Sequence, residues 1–296
     1  MLVIASRGSQ LALWQSHWVR QQLAALGYAS RIDVIKTTGD KITDVPLAQV
    51  GSKGLFTKEI EEALLENRAD LAVHSLKDLP TELPAGLVLA ATPEREDPRD
   101  ALVGKRLSEL PDGAKLGTSS LRRAAQLRKV RPDLRIEPVR GNLDTRLRKL
   151  DEGQYDAIVL AASGLKRLGW EHRIAEILSP DVCCPAVGQG SLAIETRAPG
   201  LAACEPLNHL PTQVAITAER ALLASLGGGC QVPIGAYATV DGDRVTLRAV
   251  VVSPDGAQLI GDRAEGPAAD AARIGRELGE ALLAAGADSI LETVYG

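Results

Sequence analysis

One thiol in this sequence is presented in an unusual way. Cys230 sits in the run Leu226-Gly227-Gly228-Gly229-Cys230-Gln231-Val232-Pro233-Ile234-Gly235, behind three consecutive glycines and ahead of a proline. Glycine lacks a Cβ and tolerates positive φ, so such a run allows an unusual path or a close approach to the backbone. Pro233 fixes its own φ and biases Val232 toward an extended conformation. The run reads either as a held-open loop with the thiol at its apex or as a helix C-cap beside an incidental buried cysteine. Local sequence does not separate the two. A cysteine can form a stable thioether as well as a transient acyl group. Acyl transfer calls for a histidine base, yet His17, His74, His172 and His209 occupy dissimilar contexts and none is paired by sequence with the loop. Covalent attachment is therefore favoured over thiol-protease chemistry. Cys183, Cys184 and Cys204 lie in apolar or helical contexts and read as packing residues. With neither a disulfide framework nor a CxxC pattern, no metal is expected.

The second candidate is Asp78, which follows Lys77 in Ser75-Leu76-Lys77-Asp78-Leu79-Pro80, directly after the apolar run Leu71 to His74. A carboxylate in such a strand-end loop is placed to stabilise a cation or move a proton. It could equally cap the turn before Pro80, and Lys77 could simply pair with it. His74 reads as structural.

The third set is basic. Arg7, Lys53, Arg122, Arg123, Arg140, Arg146, Lys166 and Arg167 include several that fall where strands end or helices begin, and guanidinium forks match carboxylates or phosphates in bidentate geometry. Arg122 and Arg123 follow the cap serines Ser119 and Ser120, so a helix N-terminus and two guanidinium groups are expected to converge on one anion. Gly141-Asn142 places a turn beside Arg140. Arg128, Lys129, Arg131 and Arg148 read as a solvated helix face.

The elements that must position these groups follow from the rest of the 296-residue chain, whose 45% hydrophobic and 24% charged content is that of a soluble globular protein of two or three domains. Aromatics are 3% of residues, too few for base-stacking platforms, and nucleic acid is a distant rival as partner. Net charge is −4, although Lys115 to Lys149 carries eleven Lys or Arg against Asp133, Glu137 and Asp144. That asymmetry points to a local anionic ligand rather than a polyanion. No run of eighteen apolar residues is present and no basic segment precedes the apolar start, so a cytoplasmic protein with no membrane partner is expected. Walker, Rossmann and HExxH motifs are missing.

Leu2 to Ser6 reads as a buried strand, followed by a helix capped by Ser9, with apolar positions at Leu11, Trp14, Trp18, Leu23 and Leu26 and a stop at Gly27. A strand at Ile32 to Lys36 leads into a glycine-rich piece, Thr37 to Gly54, that reads as a lid. Thr57 caps a helix carrying Ile60, Ala63 and Leu64. A second unit repeats the logic, with Leu116 to Arg123 passing from strand through serine loop to helix, a strand at Leu134 to Val139, a helix face at Leu143, Leu147 and Leu150, and a strand at Asp156 to Ala162. Pro185 to Gly190 resembles a hinge, after which Ser191 to Glu195 is expected to run back into the first domain. Thr212 caps a helix to Leu226. Three strands then follow, with hairpin turns at Asp241-Gly242 and Asp255-Gly256, and a helix at Ala268 to Ala285. The expected fold is α/β, with two small doubly wound lobes and a C-terminal α+β domain. The expected domains are 1–93 with 191–211, 94–190, and 212–296.

Taken together, eight stretches in order resemble the porphobilinogen deaminase (hydroxymethylbilane synthase) family over essentially the full length. They are Leu11 to Gln15, Gly51 to Phe56, Glu66 to Asp78, Arg95 to Ala101, Gly117 to Arg123, Arg140 to Asn142, Pro185 to Gly190 and Gly228 to Gly235. The resemblance implies periplasmic-binding-protein-like lobes with crossing connections, and a dipyrromethane cofactor held by Cys230 through a thioether. It implies that four porphobilinogen units are added in turn, each losing ammonia to give an electrophile, and that water releases the linear tetrapyrrole. Asp78 would stabilise cationic pyrrole nitrogens and assist proton transfers. Arg7, Ser9, Lys53, Lys77, Ser119, Ser120, Arg122, Arg123, Arg140, Arg146, Arg167 and Gln189 match positions that bind acetate and propionate groups or serve the chemistry. A monomer is implied. Gln49 departs from the family pattern, which carries a lysine in the loop before Gly51. A non-enzymatic solute-binding protein is the alternative; it would leave the glycine-cysteine loop without a purpose.

Overall fold

The computed structural model describes residues 1–41, 54–228 and 232–295. Most of the expected lid, Gln49, Lys53 and Cys230 lie outside them. The chain divides into two compact units, Met1–Glu96 with Ser191–Gln213 and Asp97–Gly190 with Val214–Gly296.

In the first unit, β1 (Leu2–Ser6), β2 (Ser30–Val34), β3 (Leu71–Ser75), β4 (Leu87–Ala91) and the returning β10 (Leu192–Arg197) form one sheet in the order β2-β1-β3-β10-β4. β1 runs parallel to β2 and β3, whereas β10 is antiparallel to β3 and β4. The near-continuous apolar character of β1 and β3 is that of strands covered on both faces.

Helix α1 (Gln10–Ala25) starts at Ser9, whose Oγ accepts from Ala12 N at 3.3 Å. Its buried face is Ala12, Gln15, Ser16, Val19 and Leu23; of the expected positions Leu11, Trp14, Trp18, Leu23 and Leu26, Leu23 is buried as expected, the two tryptophans lie at the margin and Leu26 is 44% exposed. The small residues win the sheet-facing side because they let the helix come close. There Ser16 Oγ donates to Ser6 Oγ at 2.7 Å, while Trp18 packs at the margin of the core. Helix α2 (Lys58–Leu65) buries Ile60, Ala63 and Leu64, together with Glu61. Thr57 stands at its N-cap without a side-chain capping bond.

The second unit repeats the plan with β5 (Asp100–Val103), β6 (Lys115–Gly117), β7 (Arg135–Glu137), β8 (Ala157–Ala161) and β9 (Ile174–Ile177), ordered β7-β6-β8-β5-β9. β6 is parallel to β7 and β8, and β5 is antiparallel to β8 and β9. Helices α3 (Leu121–Val130), α4 (Leu143–Asp151) and α5 (Ala162–Arg167) connect its strands.

After α6 (Leu210–Ser225) the chain forms an antiparallel meander of β11 (Ile234–Asp241), β12 (Arg244–Val252) and β13 (Leu259–Pro267). Helix α7 (Ala271–Leu282) packs on it, and α8 (Asp288–Tyr295) follows a break at Gly286, φ 101°. The β12–β13 turn docks on α3. Arg128 Nη1 donates to Pro254 O at 2.7 Å and Lys129 Nζ to Ala257 O at 3.3 Å; Arg128 is half-buried and tied to the turn rather than lying on the solvated face expected for it, whereas Lys129 is exposed as expected. Gly256 is required there, since φ is +78° and a Cβ would lie 2.8 Å from Lys129 N and 3.0 Å from Ala125 O.

Candidate active site

In the first unit, Arg7 leaves the end of β1 and donates to Asp40 Oδ1 from Nη2 at 2.6 Å, with its guanidinium 4.2 Å above the Phe56 ring. Burial pulls the Asp40 carboxyl upward, but the hydrogen bonds and charge of Arg7 outweigh it and the carboxyl ends below its ordinary range. Ser9 serves as the α1 cap. β3 ends in a single 3₁₀ turn, Leu76–Asp78, in which Lys77 and Asp78 are both half-buried. Among the described residues the Asp78 carboxylate has no hydrogen bond or ion pair.

In the second unit, α3 opens with Ser120 as N-cap, its Oγ 3.5 Å from Arg123 N. The two arginines of its first turn do converge on one anion. That anion is the chain's own Asp100, at the start of β5 and 0% exposed. Arg122 Nη1 donates to Asp100 Oδ2 at 2.7 Å and to Cys184 O at 2.6 Å. Arg123 donates to Asp100 Oδ1 from Nε and Nη2, and to Val159 O from Nη1 at 3.0 Å. Gln189 completes the knot, its Nε2 donating to Asp100 Oδ1 at 2.9 Å and to Pro98 O at 2.6 Å while its Oε1 accepts from Arg123 Nη2 at 3.4 Å. Burial alone would raise the Asp100 carboxyl; two adjacent guanidinium groups hold it well below the usual carboxylate range.

The remaining basic residues surround neighbouring turns. Ser119 is exposed and donates to Val139 O at 2.8 Å. Arg140, Arg146 and Arg167 are half-buried, with Arg146 Nε on Gly141 O at 2.8 Å and Arg167 Nη2 on Gly190 O at 2.6 Å. Gly141, at φ +105°, makes the turn that separates Arg140 from α4, and a Cβ there would strike Thr145 Cγ2 at 2.6 Å. Lys166 Nζ lies 3.3 Å from Asp97 Oδ2, and hydrogen bonds from Arg99 bring the Asp97 carboxyl down to about 2.

Asp100 falls within the Arg95 to Ala101 stretch, yet it is not among the candidate residues that the sequence offers. Two arginines on the buried first turn of a helix require a buried counter-charge, and the acidic residues of Arg95 to Ala101 were the place to look. The described cysteines are poor nucleophiles. Cys183, Cys184 and Cys204 are buried and free, and burial pushes the Cys184 thiol up to about 12 and the Cys204 thiol up to about 11. Among the described residues no cluster of His, Cys, Asp and Glu could hold a metal ion, and no helix is long and apolar enough to cross a membrane.

Fold and charge together define an α/β protein that sets half-buried Arg140, Arg146 and Arg167 and the capping serines in its loops and helix ends, the class suited to a small molecule bearing several carboxylates. A family model described as "porphobilinogen deaminase, dipyromethane cofactor binding domain" matches residues 2–203, and one described as "porphobilinogen deaminase, C-terminal domain" matches residues 213–284. The chain is 54% identical to the porphobilinogen deaminase of Trichlorobacter lovleyi over 99% of its own length and 96% of that protein. It is 54% identical to that of Gloeobacter violaceus over 99% and 94%. Among solved structures, a periplasmic substrate-binding protein from Coxiella burnetii aligns with 70% of this chain and 90% of that one, at 14% identity and a TM-score of 0.44. The chain belongs to the porphobilinogen deaminase family. It is accordingly an enzyme of tetrapyrrole biosynthesis with a dipyrromethane cofactor.

The donor set suits that group. Each pyrrole of a dipyrromethane brings two carboxylates, and the second unit offers Arg140, Arg146 and Arg167 half-buried beside an exposed Ser119.

Proposed function

We propose that this chain condenses four porphobilinogen molecules head to tail, with loss of ammonia from each, and releases hydroxymethylbilane, with Asp78 as the catalytic carboxylate. What carries the assignment is the contrast between carboxylates. Asp40, Asp97 and Asp100 are each held by arginine, whereas Asp78, at the end of a buried strand, has no partner among the described residues. A substrate pyrrole becomes cationic as its ammonia departs. At about 4 Å and an effective dielectric near 20, a carboxylate lowers the energy of that cation by roughly 4 kcal/mol before desolvation. The same group accepts and returns the protons that the condensation moves.

The cofactor, joined to Cys230 by a thioether, supplies the α-carbon on which the chain is extended. Ser119, Ser120, Arg140, Arg146, Arg167, Lys53, Lys77, Arg7 and Ser9 bind the acetate and propionate groups. Arg122 Nη1 and most of the Arg123 fork are committed to Asp100, so their share in recognition falls to Arg122 Nε and Nη2 and the second N–H of Arg123 Nη1. Gln189 acts through the same knot.

We read three functional domains, 1–93 with 191–211, 94–190 and 212–296; the break between the two family matches falls at the last of these boundaries. We read the protein as a cytoplasmic monomer that needs neither nucleic acid nor membrane, since one chain carries the thiol, the carboxylate and the basic set. Asp78→Asn is the test. It should keep the cofactor, seen by intact mass, while turnover falls about a hundredfold or more; near-normal turnover removes Asp78 from the catalytic role.

A further inference from the structure

The end of β3, from which the Asp78 turn departs, is held from several sides within the first unit. Gln15 Nε2 of α1 donates to Ser75 Oγ at 2.8 Å, and Leu76 N donates to Ser191 O at 3.0 Å. Deeper in the sheet, His74 Nε2 lies 3.0 Å from Glu195 Oε2, with His74 5% and Glu195 0% exposed. The two are diagonal neighbours on one face, because His74 is opposite Ala193 while Glu195 is opposite Ala72.

A carboxylate and an imidazole buried among apolar strands are costly unless they are paired and hydrogen-bonded, and a pair so held can fix an arrangement that packing alone leaves open. The open variable here is register. On its other side β10 pairs with β4 through an irregularity between Ile194 and Glu195, so the ladder loses regularity at the residue that bonds His74. Bulges of this kind re-aim neighbouring side chains, and a strand beside one needs a second restraint. The cluster has a third member. Glu61 Oε1 of α2 and Glu195 Oε1 are buried and have no hydrogen-bond partner among the described residues. Burial raises the Glu61 carboxyl above its ordinary range and the Glu195 charge adds to it, so the two carboxyl groups lie within each other's field. Nothing in the condensation chemistry uses any of the three.

We infer that the His74–Glu195 hydrogen bond is a positioning device for Asp78. It fixes the end of β3 across the irregular stretch of β10 and so sets where the Leu76–Asp78 turn presents its carboxylate. The inference rests on the catalytic reading of Asp78.

The test compares Glu195→Gln, Glu195→Ala and the double variant His74→Leu/Glu195→Leu in the full-length, cofactor-loaded protein, with kcat and KM for porphobilinogen and the intact mass of each. Glu195→Gln retains a hydrogen-bonding partner for the imidazole and should keep at least about a third of kcat. Glu195→Ala and the double variant should lose kcat about tenfold or more, with KM changed less than about twofold and the cofactor mass present. The double variant removes both buried polar groups together, which spares the fold the cost of an orphaned one. The inference is overturned if the double variant keeps kcat within about threefold of the parent, if the loss falls on KM or cofactor loading, or if Glu195→Gln is as impaired as Glu195→Ala. Asp78→Asn, measured alongside, separates the two claims. Retained turnover in Asp78→Asn sinks the catalytic reading, and loss there with an active double variant sinks the positioning inference alone.

Discussion

Arg123 reaches Asp100 with two nitrogens, Nε at 2.9 Å and Nη2 at 2.7 Å, and Asp100 is wholly buried. A guanidinium on the first turn of a helix would ordinarily read as a group waiting for an external anion. Here most of its fork is already spoken for by the protein, with Gln189 and Val159 O taking further N–H groups. The pair therefore belongs to the architecture of the second unit before it belongs to substrate binding.

Replacing Asp100 by Asn leaves two buried guanidinium groups without a counter-charge. The expected loss is about 3–5 kcal/mol. Urea unfolding should show a lower midpoint with the slope unchanged, and an unchanged midpoint would contradict the account.

The pH dependence of stability follows from the same contacts. The carboxyls of Asp100 and Asp97 are lowered in the folded state, so their contribution is fully present above the unfolded value near 4 and is lost as pH falls through the folded values, about 2 for Asp97. On the alkaline side the Cys184 thiol is raised to about 12, so its burial favours folding below the unfolded thiol value near 8.5 and opposes it increasingly above. Thermal midpoints recorded from pH 2 to 10 should form a plateau that falls below about pH 4 and above about pH 8.5.

Gly256→Ala places a Cβ against the α3 backbone at a positive φ. A loss of about 1–3 kcal/mol is expected. Hydrogen exchange should rise at the last turn of α3 and at residues 253–258, where Arg128 and Lys129 hold the turn.

Arg146→Gln removes one carboxylate partner while leaving the buried knot intact. KM for porphobilinogen should rise about tenfold, equivalent to roughly 1.4 kcal/mol, with kcat changed far less. An unchanged KM would take Arg146 out of substrate recognition.

Much of this fold was legible in the sequence because its signals are local. Ser9 and Ser120 cap their helices with hydrogen bonds from Ala12 N and Arg123 N, and the Asp241-Gly242 and Asp255-Gly256 turns separate the strands of the C-terminal meander. The misreadings came where tertiary contacts decide. Trp14 and Trp18 suggested the buried face of α1, but Ala12, Ser16 and Val19 hold it, since close helix–sheet approach favours small side chains. β4, β5 and β9 carry no turn or periodicity signal of their own and are fixed by pairing with β10, β8 and β5 respectively. The partner of Arg122 and Arg123 lies more than twenty residues away, in the Arg95 to Ala101 stretch, and nothing local to either arginine points to it. His74 was judged structural from its strand-end position, and nothing local announces that Glu195, 121 residues later, returns to meet it.

The central claim is that Cys230 carries the group on which the product is built, and intact mass measures it directly. The purified protein should exceed its sequence mass by one dipyrromethane, and Cys230→Ser should lack that addition. An active wild-type preparation with the unmodified sequence mass would contradict the account.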